Sequence, residues 1–156
     1  MKNKFIFFGD SIIRYKHNKK INDWTSNFKK LLNYSERKKN SFKTYSYTGI
    51  NSNQAIKLLP TILKKNKKID TLVVQIGIND SWHFKSLNGK ANVNTIKFKK
   101  NLKIIFSRSK FYKIKNLIFL TYHKLLKNRL EINKKTLNQN LMKYIKVITR
   151  FWKDNK

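Results

Sequence analysis

Short apolar runs alternate with longer amphipathic stretches along the whole sequence, and this rhythm constrains the fold more than any other feature. The run 71–76 is continuously apolar apart from its ends, which is typical of a parallel strand buried on both faces. The other runs are rich in aromatic and β-branched residues, as strands are, and the amphipathic stretches place apolar residues at helical spacing. The predicted strands are 5–8, 42–47, 71–76 and 117–121, and the predicted helices are 22–34, 52–66, 93–107 and 133–153.

Strands that alternate with helices predict βαβ units, a parallel sheet and right-handed crossovers. The chain has 156 residues, no repeat and no low-complexity linker, so we expect a single domain over 1–156. Pro60, the one proline, lies inside the second predicted helix and should kink or split it. The apolar run 5–8 is too short for a secretory signal. We therefore expect a cytoplasmic protein.

The net charge of +30, from 37 basic and 7 acidic residues, is far above the ~2–8 usual for a small soluble domain. One interpretation is binding to nucleic acid or to an anionic membrane. The other is a compositional bias, because most basic residues are lysines spread along the whole chain, whereas bidentate phosphate or base recognition favours arginine. The second interpretation is favoured, and nucleic acid is not the expected partner. The absence of cysteine excludes disulfides, zinc–thiolate sites and thiol nucleophiles.

Polar residues and glycines follow each of the four predicted strands. Because the carboxyl ends of parallel strands meet at one edge of a sheet, these segments should converge there. They are Gly9-Asp10-Ser11, Thr48-Gly49-Ile50-Asn51, Gly77-Ile78-Asn79-Asp80 and Thr121-Tyr122-His123.

The converging residues suit nucleophilic catalysis. A serine at a strand-to-helix turn exposes its hydroxyl while the helix N–H groups face a developing negative charge. The backbone N–H of Ser11, that of Gly49 and the side-chain amide of Asn79 would together form an oxyanion hole. Each residue also has a simpler interpretation: Ser11 as a helix cap, Gly49 as a turn glycine, and Asn79 with Asp80 as a turn and cap pair.

These segments resemble the sequence blocks of the SGNH hydrolases, also called the GDSL esterase/lipase family. The blocks matched, in order along the chain, are Phe8-Gly9-Asp10-Ser11, then Gly49, then Gly77-Ile78-Asn79-Asp80. The resemblance implies a three-layer α/β/α sandwich of flavodoxin-like topology, with parallel strands in the order 2-1-3-4. It implies that Ser11 attacks a small-molecule, lipid or carbohydrate acyl ester, without a metal or other cofactor.

In the same comparison, Gly9, Asp10, Gly77 and Asp80 are supporting residues. Asp10 would organise the turn that carries Ser11. Asp80 would hydrogen-bond backbone near the Asn79 loop.

The family's last block, an Asp-x-x-His after a fifth strand, has no counterpart here. The three histidines are His17, His83 and His123, and none has an aspartate three residues before it. Either the domain is incomplete at its C-terminus, or His123 or His83 replaces the missing base, since both follow a strand end. Without a base, a serine hydroxyl is a poor nucleophile near neutral pH.

A missing fifth strand would leave 117–121 as an apolar sheet edge, so we expect self-association. Two alternatives to an esterase stay open at this point. One is a catalytically silent fragment of the same fold, and the other is a basic protein that binds nucleic acid or an anionic surface.

Overall fold

The computed structural model describes residues 3–14, 24–35, 40–83, 89–122, 130 and 134–155. Four parallel strands form one sheet in the order β2-β1-β3-β4, which confirms the predicted order. No helix in these ranges is long and apolar enough to cross a membrane. The strands are β1 (Lys4–Gly9), β2 (Ser41–Ser46), β3 (Thr71–Gln75) and β4 (Asn116–Phe119). The helices are α1 (Trp24–Ser35), α2 (Ser52–Lys65), α3 (Ile78–Ser81), α4 (Thr95–Phe111) and α5 (Leu137–Lys153).

The sheet is covered on both faces, as expected for three layers. Side chains alternate along the central strands, so Phe5, Phe7 and Val73 face α1 while their neighbours face the opposite layer. That opposite layer is larger and is built from α2, α4 and α5. Its buried members include Ile6, Phe8, Leu59, Leu72, Val74, Phe98, Leu102, Ile148 and Phe151.

Gly9 is the point at which three strands come closest together. It pairs with Ser46 of β2 and with Gln75 of β3. A Cβ atom at this position would lie 2.2 Å from the Gln75 carbonyl oxygen, a distance that no side chain tolerates. A glycine is therefore required at the end of β1, directly before Asp10 and Ser11.

Of the two outcomes predicted for Pro60, a kink or a split, the split is wrong: α2 runs without interruption from Ser52 to Lys65. A proline has no N–H, and in a helix it leaves the carbonyl four residues earlier without its usual donor. Here that carbonyl belongs to Ile56, and the Arg108 guanidinium of α4 donates to it. The neighbouring helix thus supplies the hydrogen bond that the proline removes.

Among the described strands, β4 pairs with β3 alone, so it forms one side of the sheet. Ile118 in this strand is 40% exposed. A groove of about 390 Å³ runs between β4 and α5, and its lining includes Leu117, Phe119 and Trp152. An exposed apolar strand of this kind is a surface that proteins usually protect.

Replacing Gly9 by alanine should destabilise the fold severely, because the added methyl group meets backbone rather than a side chain that could move. We expect a loss of about 3 kcal/mol or more in the free energy of unfolding. Gly49→Ala is the matched control, since a Cβ there meets nothing within 4 Å and only the positive φ of 72° opposes it. That variant should lose about 1 kcal/mol. Urea unfolding of both variants measures the difference, and equal losses would contradict the close approach at Gly9.

Candidate functional site

Ser11 opens a short 3₁₀ turn, Ser11–Arg14, directly after β1. Its side chain is exposed at the carboxyl edge of the sheet. The residue before it is held from both sides: the Asp10 N–H donates to the Gln75 carbonyl (3.2 Å), and the Ser46 hydroxyl donates to the Asp10 carbonyl (3.1 Å). The turn that carries Ser11 is therefore fastened to both neighbouring strands.

The Asp10 side chain is fully buried beneath this turn. Its Oδ1 accepts the Ile12 N–H at 2.9 Å, and its Oδ2 accepts the Tyr122 hydroxyl. Burial raises the pKa of Asp10 to about 6, and the hydrogen bonds from Tyr122 and Ile12 oppose that rise. Asp10 thus bonds the backbone of the turn that Ser11 opens.

Asn79 lies in the loop after β3, and two hydrogen bonds hold it in place. The Asn79 Nδ2 donates to the Ile50 carbonyl at 2.9 Å, and the Asn79 carbonyl accepts from the Asn92 Nδ2 at 2.9 Å. Gly77, which precedes α3, has a φ of 128°, a conformation that favours glycine. The amide of Asn79 is therefore fixed against the segment that follows Gly49.

Asp80 is the second fully buried carboxylate at this edge. It accepts the Ser52 N–H at 2.9 Å and also the Ser52 hydroxyl, which in turn accepts from the Asn101 Nδ2 at 2.7 Å. Burial is the main cause that raises the pKa of Asp80 to about 6, and the charge of Asp10 adds to the rise. The bond to the Ser52 N–H lies two residues from the Ile50 carbonyl that Asn79 bonds, consistent with the expectation that Asp80 bonds backbone near the Asn79 loop.

Gly49 lies in an exposed turn between β2 and α2. Its φ of 72° is the left-handed conformation that glycine adopts readily, and the Ile50 N–H closes the turn onto the Tyr47 carbonyl at 3.3 Å. At the start of the same segment, the Tyr47 N–H donates to the Gly9 carbonyl at 3.0 Å. Hydrogen bonds on either side of Gly49 thus connect it to the Ser11 turn and to Asn79.

Of the two candidate bases, His83 and His123, the described residues include only His83. His83 is buried and lines a pocket of about 300 Å³ with residues of α4, α5 and the preceding loop, among them Lys90, Asn94 and Lys143. Ser11 is not part of the lining of that pocket in the described chain. His123 lies outside the described residues, as does His17.

Sequence reasoning missed Tyr122, Ser52 and Asn101. Tyr122 directly follows the fourth predicted strand, but the chain has 7 tyrosines and 11 phenylalanines, so nothing in the pattern distinguishes it. Ser52 and Asn101 are buried polar residues in helices, and a polar residue in an amphipathic helix is usually solvated. Only the position of Asp80 explains why both are inside.

Within the described part of the chain, no group of three or more His, Asp or Glu side chains is placed so that it could hold a metal ion.

No protein-family model and no curated protein matches the chain. Solved structures do match. One is Axe2, an acetylxylan esterase from Geobacillus stearothermophilus, which is 16% identical with a TM-score of 0.71; the match covers 97% of this chain and 72% of that one. Another is LAE5, an alpha/beta hydrolase from the metagenome of Lake Arreo, Spain, at 17% identity and a TM-score of 0.70, covering 97% and 73%.

A lipase/acylhydrolase from Enterococcus faecalis also matches, at 18% identity and a TM-score of 0.67, with coverage of 96% and 70%. At these identities the likeness establishes the fold. The α/β architecture expected from the sequence is thereby confirmed.

The two buried carboxyls predict an unusual dependence of stability on pH. Their pKa values are about 6 in the folded chain, against 3.8 for an ordinary aspartate, so the folded state holds more protons between these values. This contribution to stability is complete below about pH 4 and is lost as the pH rises through about 6, at roughly 2–3 kcal/mol for each carboxyl. The free energy of unfolding should therefore fall between pH 5 and pH 7.

Urea unfolding at pH 5, 6, 7 and 8 measures this slope. Asp80→Asn should reduce it by about half, since one of two similar titrations is removed. Asp70→Asn is the matched control: the hydrogen bond from Lys115 lowers the pKa of Asp70, so its contribution changes only below about pH 4. An Asp80→Asn slope equal to that of the unchanged chain would refute the assignment.

Proposed function

We propose that this chain is a serine hydrolase of the SGNH/GDSL type that cleaves acyl esters, with Ser11 as its nucleophile. The observation that carries the proposal is the setting of Ser11, exposed on a turn after β1, at the same sheet edge as an asparagine amide that bonds the Ile50 carbonyl. Solved structures of the same fold bear the names acetylxylan esterase and lipase/acylhydrolase. Their names support an ester as the substrate, in particular an acetylated carbohydrate or a lipid.

The proposed oxyanion hole consists of the Ser11 N–H, the Gly49 N–H and the Asn79 side-chain amide. An asparagine amide has two N–H donors, and the Ile50 carbonyl takes one of them. The other remains for a substrate oxygen. Donors held in place before the reaction stabilise the transition state without the cost of reorganisation, and the hydrogen bonds on each side of Gly49 and Asn79 provide that rigidity.

The reaction needs a base to take the Ser11 proton, and His123 is the first candidate. Tyr122, the residue directly before it, donates its hydroxyl hydrogen bond to Asp10, the residue before Ser11. His83 is the second candidate, and its pocket beside α4 and α5 makes it the less favoured one.

In the proposed reaction, the Ser11 Oγ attacks the carbonyl carbon of the ester while the histidine takes the hydroxyl proton. The tetrahedral oxyanion forms against the three N–H donors. Its collapse breaks the bond to the alcohol, which leaves with the proton from the histidine. A water molecule then repeats the sequence on the acyl-enzyme and releases the carboxylic acid.

Ser11→Ala should reduce hydrolysis of p-nitrophenyl acetate to the uncatalysed rate, because the acyl-enzyme cannot form. Asn79→Ala should lower kcat by ~10²–10³-fold, the usual effect of removing one oxyanion donor. Ser107→Ala, on the exposed face of α4, is the matched control and should retain full activity. Turnover followed by absorbance measures all three.

The histidine variants complete this experiment. His123→Ala should abolish turnover and His83→Ala should leave most of it, and the reverse result would assign the base to His83. Turnover that persists in Ser11→Ala would disprove the esterase proposal. If neither the unchanged chain nor any variant shows turnover, the chain is instead a catalytically silent fragment of this fold.

We also propose that two copies of the chain associate through the β4 edge. The support is the 40% exposure of Ile118 and the apolar groove between β4 and α5. A net charge of +30 opposes the approach of two copies. Association should therefore strengthen with salt, which shortens the screening length to about 3 Å at 1 M.

Sedimentation at low salt and at 1 M salt tests this contact. Ile118→Lys should keep the chain monomeric at both, because a charge on an edge strand opposes pairing. Ile96→Lys is the matched control, since Ile96 is 71% exposed on α4, away from the edge. If the unchanged chain is a monomer at 1 M salt, or if both variants behave alike, the contact does not exist.

A further inference from the structure

Tyr122 follows β4 and is buried beneath the carboxyl edge, with 7% of its surface exposed. Its ring packs in a small apolar cluster with Ile78 of α3 and Leu141 of α5. Ile12 of the nucleophile turn lies against the same cluster. The cluster that contains Tyr122 therefore joins residues of α3, α5 and the nucleophile turn.

Tyr122 connects the two loops that carry the candidate oxyanion donors. Its hydroxyl donates to the Asp10 Oδ2, and its ring shares an apolar cluster with Ile78, the residue before Asn79. On the other side of Asp10, the Oδ1 accepts the Ile12 N–H at 2.9 Å. Packing at Ile78 and hydrogen bonds through Asp10 thus connect the loop of Asn79 with the residue after Ser11.

We propose that Tyr122 is a positioning residue that holds the Ser11 turn and the Asn79 loop at the separation an oxyanion hole requires. This inference rests on the proposed function and adds to it a residue that does not touch the substrate. A tyrosine suits this role because its ring packs beside Ile78 while its hydroxyl donates to Asp10.

The hydrogen bonds that connect Tyr122, Asp10 and Ile12 depend on the charge of Asp10, since an ionised carboxylate accepts from both the phenol and the Ile12 N–H. Burial, followed by the charge of Asp10, raises the pKa of Tyr122 well above its ordinary value, so the phenol keeps its proton throughout the working range. The other ionisable group that acts on this pair is Asp80, while α5 contributes Leu141 and Ile145, which are apolar. The link should therefore be complete above the pKa of Asp10.

Tyr122→Phe tests the inference, because it keeps the ring in the cluster and removes only the hydroxyl. The Tyr122 bond lowers the pKa of Asp10, so its loss should move the acidic limb of the activity profile to higher pH by about one unit. We expect kcat to fall about tenfold, with KM unchanged, because the donors are misplaced while substrate access is not. Tyr34→Phe, at an 85% exposed tyrosine, is the matched control and should change neither quantity.

A second variant separates positioning from general loss of structure. Asp10→Asn should remove the part of the acidic limb that Asp10 contributes, leaving that of the histidine, and adding Tyr122→Phe to it should lower kcat no further, since the two residues act through one bond. If Tyr122→Phe does not fold, Tyr122→Trp, which also lacks the hydroxyl, takes its place in the same double-variant comparison. An unchanged profile in Tyr122→Phe, or additive losses in the double variant, would overturn the inference.

A readout independent of turnover keeps this result apart from the proposed function. Carbon-13 NMR of the Asp10 carboxyl measures its pKa directly, and the amide signals of Ser11, Ile12 and Ile78 report the geometry of both loops. If Ser11→Ala shows that no serine-dependent turnover exists, the proposed function fails. The positioning role of Tyr122 is then tested by NMR alone: Tyr122→Phe should raise the Asp10 pKa and shift the amide signals of both loops. If neither quantity changes, the positioning role is refuted.

Discussion

Two carboxyl groups buried beneath the carboxyl edge of the sheet hold the candidate site together. Loops that follow strands lose the regular bonding of the sheet, and their N–H groups need other acceptors. Asp10 supplies acceptors to the turn after β1, and Asp80 supplies them to the start of α2. The three loops that follow β1, β2 and β3 are thereby held in one arrangement.

This arrangement costs stability. Burial of a carboxylate is unfavourable, and the raised pKa values of Asp10 and Asp80 are the direct sign of that cost. A chain with only 7 acidic residues and 37 basic ones nevertheless places two of its acids at this edge. Lysines on the surface do not relieve them, because the donors that reach these carboxyls are hydroxyl and backbone groups.

The segments that meet at the sheet edge were predicted from hydrophobic periodicity and the rules of parallel sheets, and the strand order from the family resemblance. Bonds between distant side chains followed no such pattern. Tyr122 is one aromatic residue among many, and Arg108 is one of 37 basic residues until the helix with Pro60 is seen beside it. Considered from its own helix alone, Pro60 was predicted to kink or split α2. Arg108 of the neighbouring helix supplies the donor that the proline lacks. The roles of Ser11, Gly49, Asn79 and the histidines stay predictions.

The bond between Tyr122 and Asp10 joins residues that are 112 positions apart in the sequence. Contacts of this kind form late, because the entropy of closing so long a loop must first be overcome by the strands between them. During synthesis, the turn with Ser11 would leave the ribosome long before its support exists. The candidate site is therefore a property of the finished sheet, and its assembly would mark the end of folding.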